Sequence, residues 1–224
     1  TSNADVAGFL KNGTHEELQT FILKSEPLTY PADELWRCPN LVELSLCMHV
    51  GERWSQWAVQ TQRRVNREPS IRKLKLIPMT HQGTEAEAFP VPESRLLIGA
   101  LSALPTIEML DVPLKIAVPA DLEPLTRMDR LQTLPVVNLN LDRETLGYVC
   151  RMPELRTLTV QSLEFGQECA HLMPWLQIYA LHVGQADTLT TERARLLARA
   201  PRLLHVSWWD ASNLNIDPHE IPQI

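Results

Sequence analysis

One apolar phrase recurs along this chain and restricts its folding more than any other feature. The pattern apolar-x-x-apolar-x-apolar falls at Leu18, Phe21, Leu23; at Leu41, Leu44, Leu46; at Ile71, Leu74, Leu76; and at Ile107, Leu110, Val112. It continues at Leu131, Leu134, Val136; at Leu155, Leu158, Val160; at Leu176, Tyr179, Leu181; and at Leu203, Val206, Trp208. First positions are spaced by 23, 30, 36, 24, 24, 21 and 27 residues. In six of the eight copies a proline stands two residues earlier: Pro39, Pro69, Pro105, Pro153, Pro174 and Pro201. The interleaved slots behave differently. Of 24, only Ile22, Val42, Met109, Ile178, Ala180 and Leu204 are apolar.

The spacing has a direct geometric reading. The first apolar residue comes in from a turn. The next two are two apart, so both point to one face of a short strand, and the residue between them points to the other. The proline stops whatever helix precedes and biases its neighbour towards extended backbone. Helix-like stretches lie between the strands at 53–68, 94–104, 142–152 and 190–200, with Asp142 and Thr190 placed as N-caps. Strand, turn, helix and turn, repeated at a period of about 26 residues, predict an α/β solenoid of about eight repeats. A doubly wound α/β sheet also alternates strand and helix, but it wants longer strands that are apolar on both faces.

These phrases, "CPNLVELSL", "LPTIEML", "LQTLPVVNLNL", "MPELRTLTV" and "APRLLHV", resemble the leucine-rich repeats, with consensus L-x-x-L-x-L-x-x-N/C-x-L. In "LQTLPVVNLNL" the four apolar places are Leu131, Leu134, Val136 and Leu141. The resemblance runs over residues 16–212, after a lead-in at 1–15 in which Ser2 to Ala4 read as a tag scar, and before a tail at 213–224. It departs at the Asn/Cys place, where Glu26, His49, Met79, Lys115, Leu139, Leu163, Gly184 and Ala211 stand. Pro135, inside the fifth strand, removes a ladder donor. The irregular periods are similar to those of intracellular repeats attached to F-box domains. The resemblance implies a horseshoe with a parallel sheet on its concave face and helices behind.

Such surfaces bind macromolecules. The expected function is therefore a protein-interaction module or scaffold, not an enzyme. Two narrower readings are the substrate-recognition region of an F-box-type ubiquitin ligase receptor and a microbial effector acting in a host cell. The 17 residues before the first repeat are too few for an F-box. The register projects Arg72, Lys73 and Lys75, then Glu108 and Asp111, from the concave face. Gln132, Arg156 and Gln161 follow, with His182, His205 and Trp209 towards the C-terminus. Trp209 draws notice because aromatic residues anchor interfaces. The stretch 79–94, in the widest interval, reads as a flexible acidic loop at the rim.

Composition narrows the partner. A formal net charge of −6 argues against nucleic acid, although Arg63, Arg64, Arg67, Arg72, Lys73 and Lys75 form one basic run. No apolar run approaches membrane-spanning length. Cys38, Cys47, Cys150 and Cys169 lack framework spacing and read as reduced thiols of an intracellular, cytoplasmic protein. Cys47 and His49 could share a face, yet no orienting acid accompanies them. The scattered histidines predict no metal, and no phosphate loop or other cofactor motif is present.

Overall fold

Alternate burial along short strands builds this α/β chain, whose computed structural model describes residues 17–23, 38–49, 71–80, 84, 86, 88–102, 104 and 106–210. In β3 (Lys73–Met79), Leu74 and Leu76 are buried while Lys73 and Lys75 are exposed. The expected helix at 53–68, the lead-in, the tail and the basic residues Arg63, Arg64 and Arg67 lie outside the described residues. The chain divides into two compact units, Thr1–Leu114 and Lys115–Ile224.

In the first unit β1 (Thr20–Leu23), β2 (Glu43–His49), β3 and β4 (Met109–Asp111) pair in parallel and in chain order. Their register sets Phe21, Leu44, Leu74 and Leu110 in one row. The flanking places of the phrase, Leu41, Ile71 and Ile107, and Leu46, Leu76 and Val112, are all buried. Each buried aliphatic side chain contributes about 1.5–3 kcal/mol, mostly offset by chain entropy. Helix α1 (Val91–Leu101) begins with proline in its first turn and packs Leu97, Ile98 and Leu101 inward. Before it, Phe89 is fully buried, bridges Leu114, and takes a hydrogen bond on its carbonyl from the Ser94 hydroxyl at 3.1 Å. A flexible loop over 79–94 is thus overturned from Ala88 onward. The apolar Phe89 inside an acidic stretch is the anchor.

After β5 (Leu114–Lys115), the second unit stacks β6 (Thr133–Val137), β8 (Thr157–Val160), β10 (Ala180–Gln185) and β11 (His205–Asp210), again parallel and in chain order. Leu134, Leu158, Leu181 and Val206 share a row. A two-stranded parallel sheet, β7 (Asn140–Leu141) with β9 (Ser162–Leu163), lies beyond. Helices α2 (Arg143–Val149) and α3 (Thr191–Leu197) are only seven residues each. The Asp142 carboxylate caps α2, accepting the Thr145 N–H at 2.8 Å, and Thr190 caps α3, accepting the Arg193 N–H at 3.3 Å. The other connections are tight 3₁₀ turns, Pro119–Arg127, Gln167–Cys169 and Met173–Trp175, where a regular helix repeat was expected.

A backbone signature accompanies the phrase. In six of the eight copies, one residue at the entry to the strand offers its carbonyl to two successive N–H groups of the next strand. In the first unit Gln19 accepts from Val42 and Glu43 at 2.8 and 3.0 Å, Val42 from Arg72 and Lys73 at 2.9 and 3.0 Å, and Arg72 from Glu108 and Met109 at 2.8 and 2.9 Å. In the second, Gln132 accepts from Arg156 and Thr157 at 2.8 and 2.9 Å, Arg156 from Tyr179 and Ala180 at 2.7 and 2.9 Å, and Tyr179 from Leu204 and His205, both at 3.0 Å.

That signature corrects the seventh copy. Its acceptor is Tyr179, so the first apolar place is Ile178, and the row is Ile178, Leu181, Val183 rather than Leu176, Tyr179, Leu181. Ile178, Leu181 and Val183 are buried, whereas Tyr179 is 38% exposed. The cause is a duplicated turn. Leu155 N–H bonds Met152 O at 3.3 Å, and Leu176 N–H bonds Met173 O at 3.1 Å in the same Met-Pro-x-Leu phrase. After Leu176 the chain spends two further residues, Gln177 and Ile178, before the strand starts. Pro174 is therefore four residues ahead of its row, not two.

The fifth copy also departs. From Pro135↔Thr159 to Asn140↔Ser162 it advances five residues while the sixth advances three. Asn138, with φ 61°, makes the extra turn, a left-handed conformation that asparagine tolerates. Leu141, not Leu139, thus matches Leu163. In place of an asparagine ladder, the Thr188 hydroxyl accepts the Leu163 N–H at 3.1 Å and donates to Gln185 O at 2.7 Å. The Ser162 hydroxyl lies 2.8 Å from Asn140 Oδ1. Gln132 turns its carbonyl to β8, so Pro135, three residues further along, turns its nitrogen away from β8 and that ladder loses no donor.

Candidate protein interface

The interleaved residues form the second side of each sheet, and each unit carries its own set. In the first unit the rows read Glu43, Lys73, Met109 and Ser45, Lys75, Asp111. The expected basic trio is not one uniform patch. The Arg72 guanidinium stands 3.6 Å from Glu108, and Lys75 is ion-paired with Asp111, so two of the three cations meet carboxylates on the next strand. Lys73 is exposed between Glu43 and Met109. Ser45, a short residue between Ile22 and Lys75, is only 4% exposed and its hydroxyl has no hydrogen-bond partner. Cys47 is also buried, so this side of β2 is covered. The His49 side chain lies outside the described residues.

In the second unit the rows read Thr133, Thr157, Ala180, His205 and Pro135, Thr159, His182, Ser207. Every one of these is at least partly accessible, while Leu134, Leu158, Leu181 and Val183 on the other side are buried. Burial on one side only is not the pattern of a doubly wound sheet. His182 Nδ1 lies 2.6 Å from Ser207 Oγ, and the His182 and His205 rings sit edge to face at 6.1 Å. Gln161 packs against Gly184, where a Cβ would stand 3.1 Å from its Oε1; a glycine keeps that contact open. Arg156 approaches Glu154 at 3.6 Å with both side chains about half exposed. Gln132 and Arg156 hold the neighbouring strand through their carbonyls. Trp209 lies in β11, and its side chain is outside the described residues.

Sequence reasoning missed the largest exposed apolar groups of this unit. Trp175 is 67% exposed and Leu204 70% exposed, and with Tyr179 they stand at the N-terminal ends of β10 and β11. The available signal was Leu204, an apolar residue in an interleaved slot. Trp175 gave none, because exposure there depends on the turn.

Chemistry is sparse. Burial pushes the Cys38 thiol up; burial and the neighbouring Cys169 push Cys150 to about 11. Cys169 is raised by burial and by Glu168. Protonated thiols are poor nucleophiles at neutral pH. Among the described residues no group of three or more His, Cys, Asp and Glu is placed to hold a metal ion, and no helix is long and apolar enough to cross a membrane. A cavity of about 720 Å³ beside α2 mixes Asp142, Glu144, Glu164 and Glu168 with Arg143 and Arg151. Three of these charges are engaged: Asp142 caps α2, the backbone N–H groups of Glu168 and Gly166 hold the Glu168 carboxyl below the usual range, and Arg151 stacks 4.5 Å over the Tyr148 ring. No protein-family model matches the chain, and no curated protein matches it.

Proposed function

We propose that this chain is a leucine-rich-repeat-type solenoid that binds a protein partner on the open side of its parallel strands. The reading rests on one observation above all. In the second unit, the rows Thr133–Thr157–Ala180–His205 and Pro135–Thr159–His182–Ser207 stay at least partly accessible, while on the opposite side Leu134, Leu158, Leu181, Val136, Val160 and Val183 are buried and only Val206 and Trp208, on β11, are partly accessible. The recurring two-donor carbonyl supports the repeat character independently of side chains. A pleated wall with small hydroxyl side chains at its centre and ring-bearing side chains at one end suits a folded partner surface. Shallow polar rows give positioning, and aromatic side chains give anchoring.

The test is affinity capture from native extract with the unchanged chain and with Thr159→Arg. Thr159 is half-buried in the middle of the wall, so arginine there obstructs approach without entering the core. The expected result is a protein captured by the first and lost by the second at equal thermal stability. Capture that survives Thr159→Arg and is lost with Glu144→Arg, on the α2 side, would refute the reading.

A further inference from the structure

The described residues hold seven exposed large apolar side chains, and three of them, Trp175, Tyr179 and Leu204, belong to two successive turns of the second unit. Tyr179 and Leu204 are neighbours by bonding, and Trp175 precedes Tyr179 by four residues in the same turn. The Tyr179 carbonyl takes the Leu204 N–H at 3.0 Å, and Tyr179 donates its own N–H to Arg156 O at 2.7 Å. The Arg202 guanidinium lies 6.0 Å from the Tyr179 ring. The equivalent turn place is Glu154 one copy earlier and Arg202 one copy later, so a tryptophan there replaces charged residues. The two-residue insertion after Leu176 falls between Trp175 and Tyr179, where the chain departs from its repeat to present both rings.

The ridge has a charge to match. The chain carries a net −6, yet residues 190–205 hold four arginines against one glutamate. Arg202 and Arg156 border the apolar side chains, and the exposed Glu154 partner of Arg156 is a weak competitor in water. We propose that Trp175, Tyr179 and Leu204, bordered by Arg156 and Arg202, form a docking ridge for an acidic protein segment that brings an aliphatic side chain onto the rings. The proposal rests on the protein-binding reading but uses the N-terminal edge of the strands rather than their open side. Apolar anchors ringed by complementary charge are where interface free energy concentrates, and the charges steer the approach.

Short random peptides displayed on phage, selected against the whole chain, test the ridge. The expected winners carry Asp or Glu around Leu, Ile or Val. Synthetic copies, followed by fluorescence anisotropy, are expected to bind roughly tenfold more weakly to Trp175→Ser and to Leu204→Ser. Arg156→Glu with Arg202→Glu should weaken them similarly, with melting midpoints unchanged throughout. Winners without acidic residues, or affinities indifferent to these variants, overturn the proposal. Loss on Thr159→Arg alone overturns the ridge and leaves the open-side reading standing; loss on Leu204→Ser alone supports the ridge. Self-association of the chain abolished by Leu204→Ser would assign the ridge to a second copy and also overturn it.

Discussion

Leu181 stands directly opposite Leu158 in the β8–β10 register, which leaves Tyr179, two residues earlier, outside the buried row. A shift of two residues keeps strand parity, so the pattern alone admits both alignments. Stability separates them. Leu181→Ala should cost about 2–5 kcal/mol, because a fully buried leucine leaves a cavity between strands. Tyr179→Ala should cost less than Leu181→Ala, since more than a third of the residue is already exposed and its contact to Arg202 is long. Urea unfolding of the two variants decides; equal losses would restore the alignment on Leu176.

The contrast marks what a sequence can carry. Burial parity leaves its trace in every apolar slot, so Leu44, Leu74, Leu110, Leu134 and Leu158 were legible as one side of parallel strands. Caps were legible at Asp142 and Thr190 because an N-cap needs a short polar side chain at one place. Insertions were not. Met173-Pro174-Trp175-Leu176 builds the same turn as Met152-Pro153-Glu154-Leu155, and nothing in those four residues announces the two that follow. Asn138 hides a similar addition. Cross-strand ion pairs depend on how distant strands align, so Arg72 and Lys75 looked available when Glu108 and Asp111 already faced them. The exposed rings depend on turn geometry, which is why Trp209 drew attention and Trp175 did not.

The cap on α2 is short enough to matter. A seven-residue helix has few internal hydrogen bonds, and Asp142 satisfies one N–H that would otherwise lack a partner. Asp142→Ala should destabilise the second unit by about 0.5–2 kcal/mol, and Asp142→Asn by much less. Thr190→Ala, which removes a longer bond at 3.3 Å, should fall at the low end of that range. Hydrogen exchange at the Thr145 amide should speed up in Asp142→Ala before global unfolding does. Unchanged exchange would mean the carboxylate is not the cap in solution.

The ladder between β3 and β4 should contribute little to stability. Lys75 and Asp111 are half exposed, as is Arg72 opposite a less exposed Glu108. A double-mutant cycle with Lys75→Ala and Asp111→Ala should give a coupling of about 0.2–1 kcal/mol, vanishing near ~1 M salt. A coupling of several kcal/mol that resists salt would show that the pair is buried when the protein is in solution.

The thiols set an alkaline limit on the fold. Cys150 is raised to about 11, first by burial and then by Cys169, and burial also raises Cys38 and Cys169. A thiol whose pKa is higher when folded holds its proton more tightly in the native state. Its contribution is present below the unfolded thiol pKa and is lost as pH rises from there through about 11. Unfolding midpoints in urea should therefore be flat through neutral pH and decline from about pH 9 upward. Cys150→Ala should flatten part of that decline, because alanine has no proton to lose. Alkylation by iodoacetamide at neutral pH should correspondingly be slow at Cys150 in the native protein and rapid after denaturation. Fast native alkylation at that position would mean the thiol is neither buried nor raised.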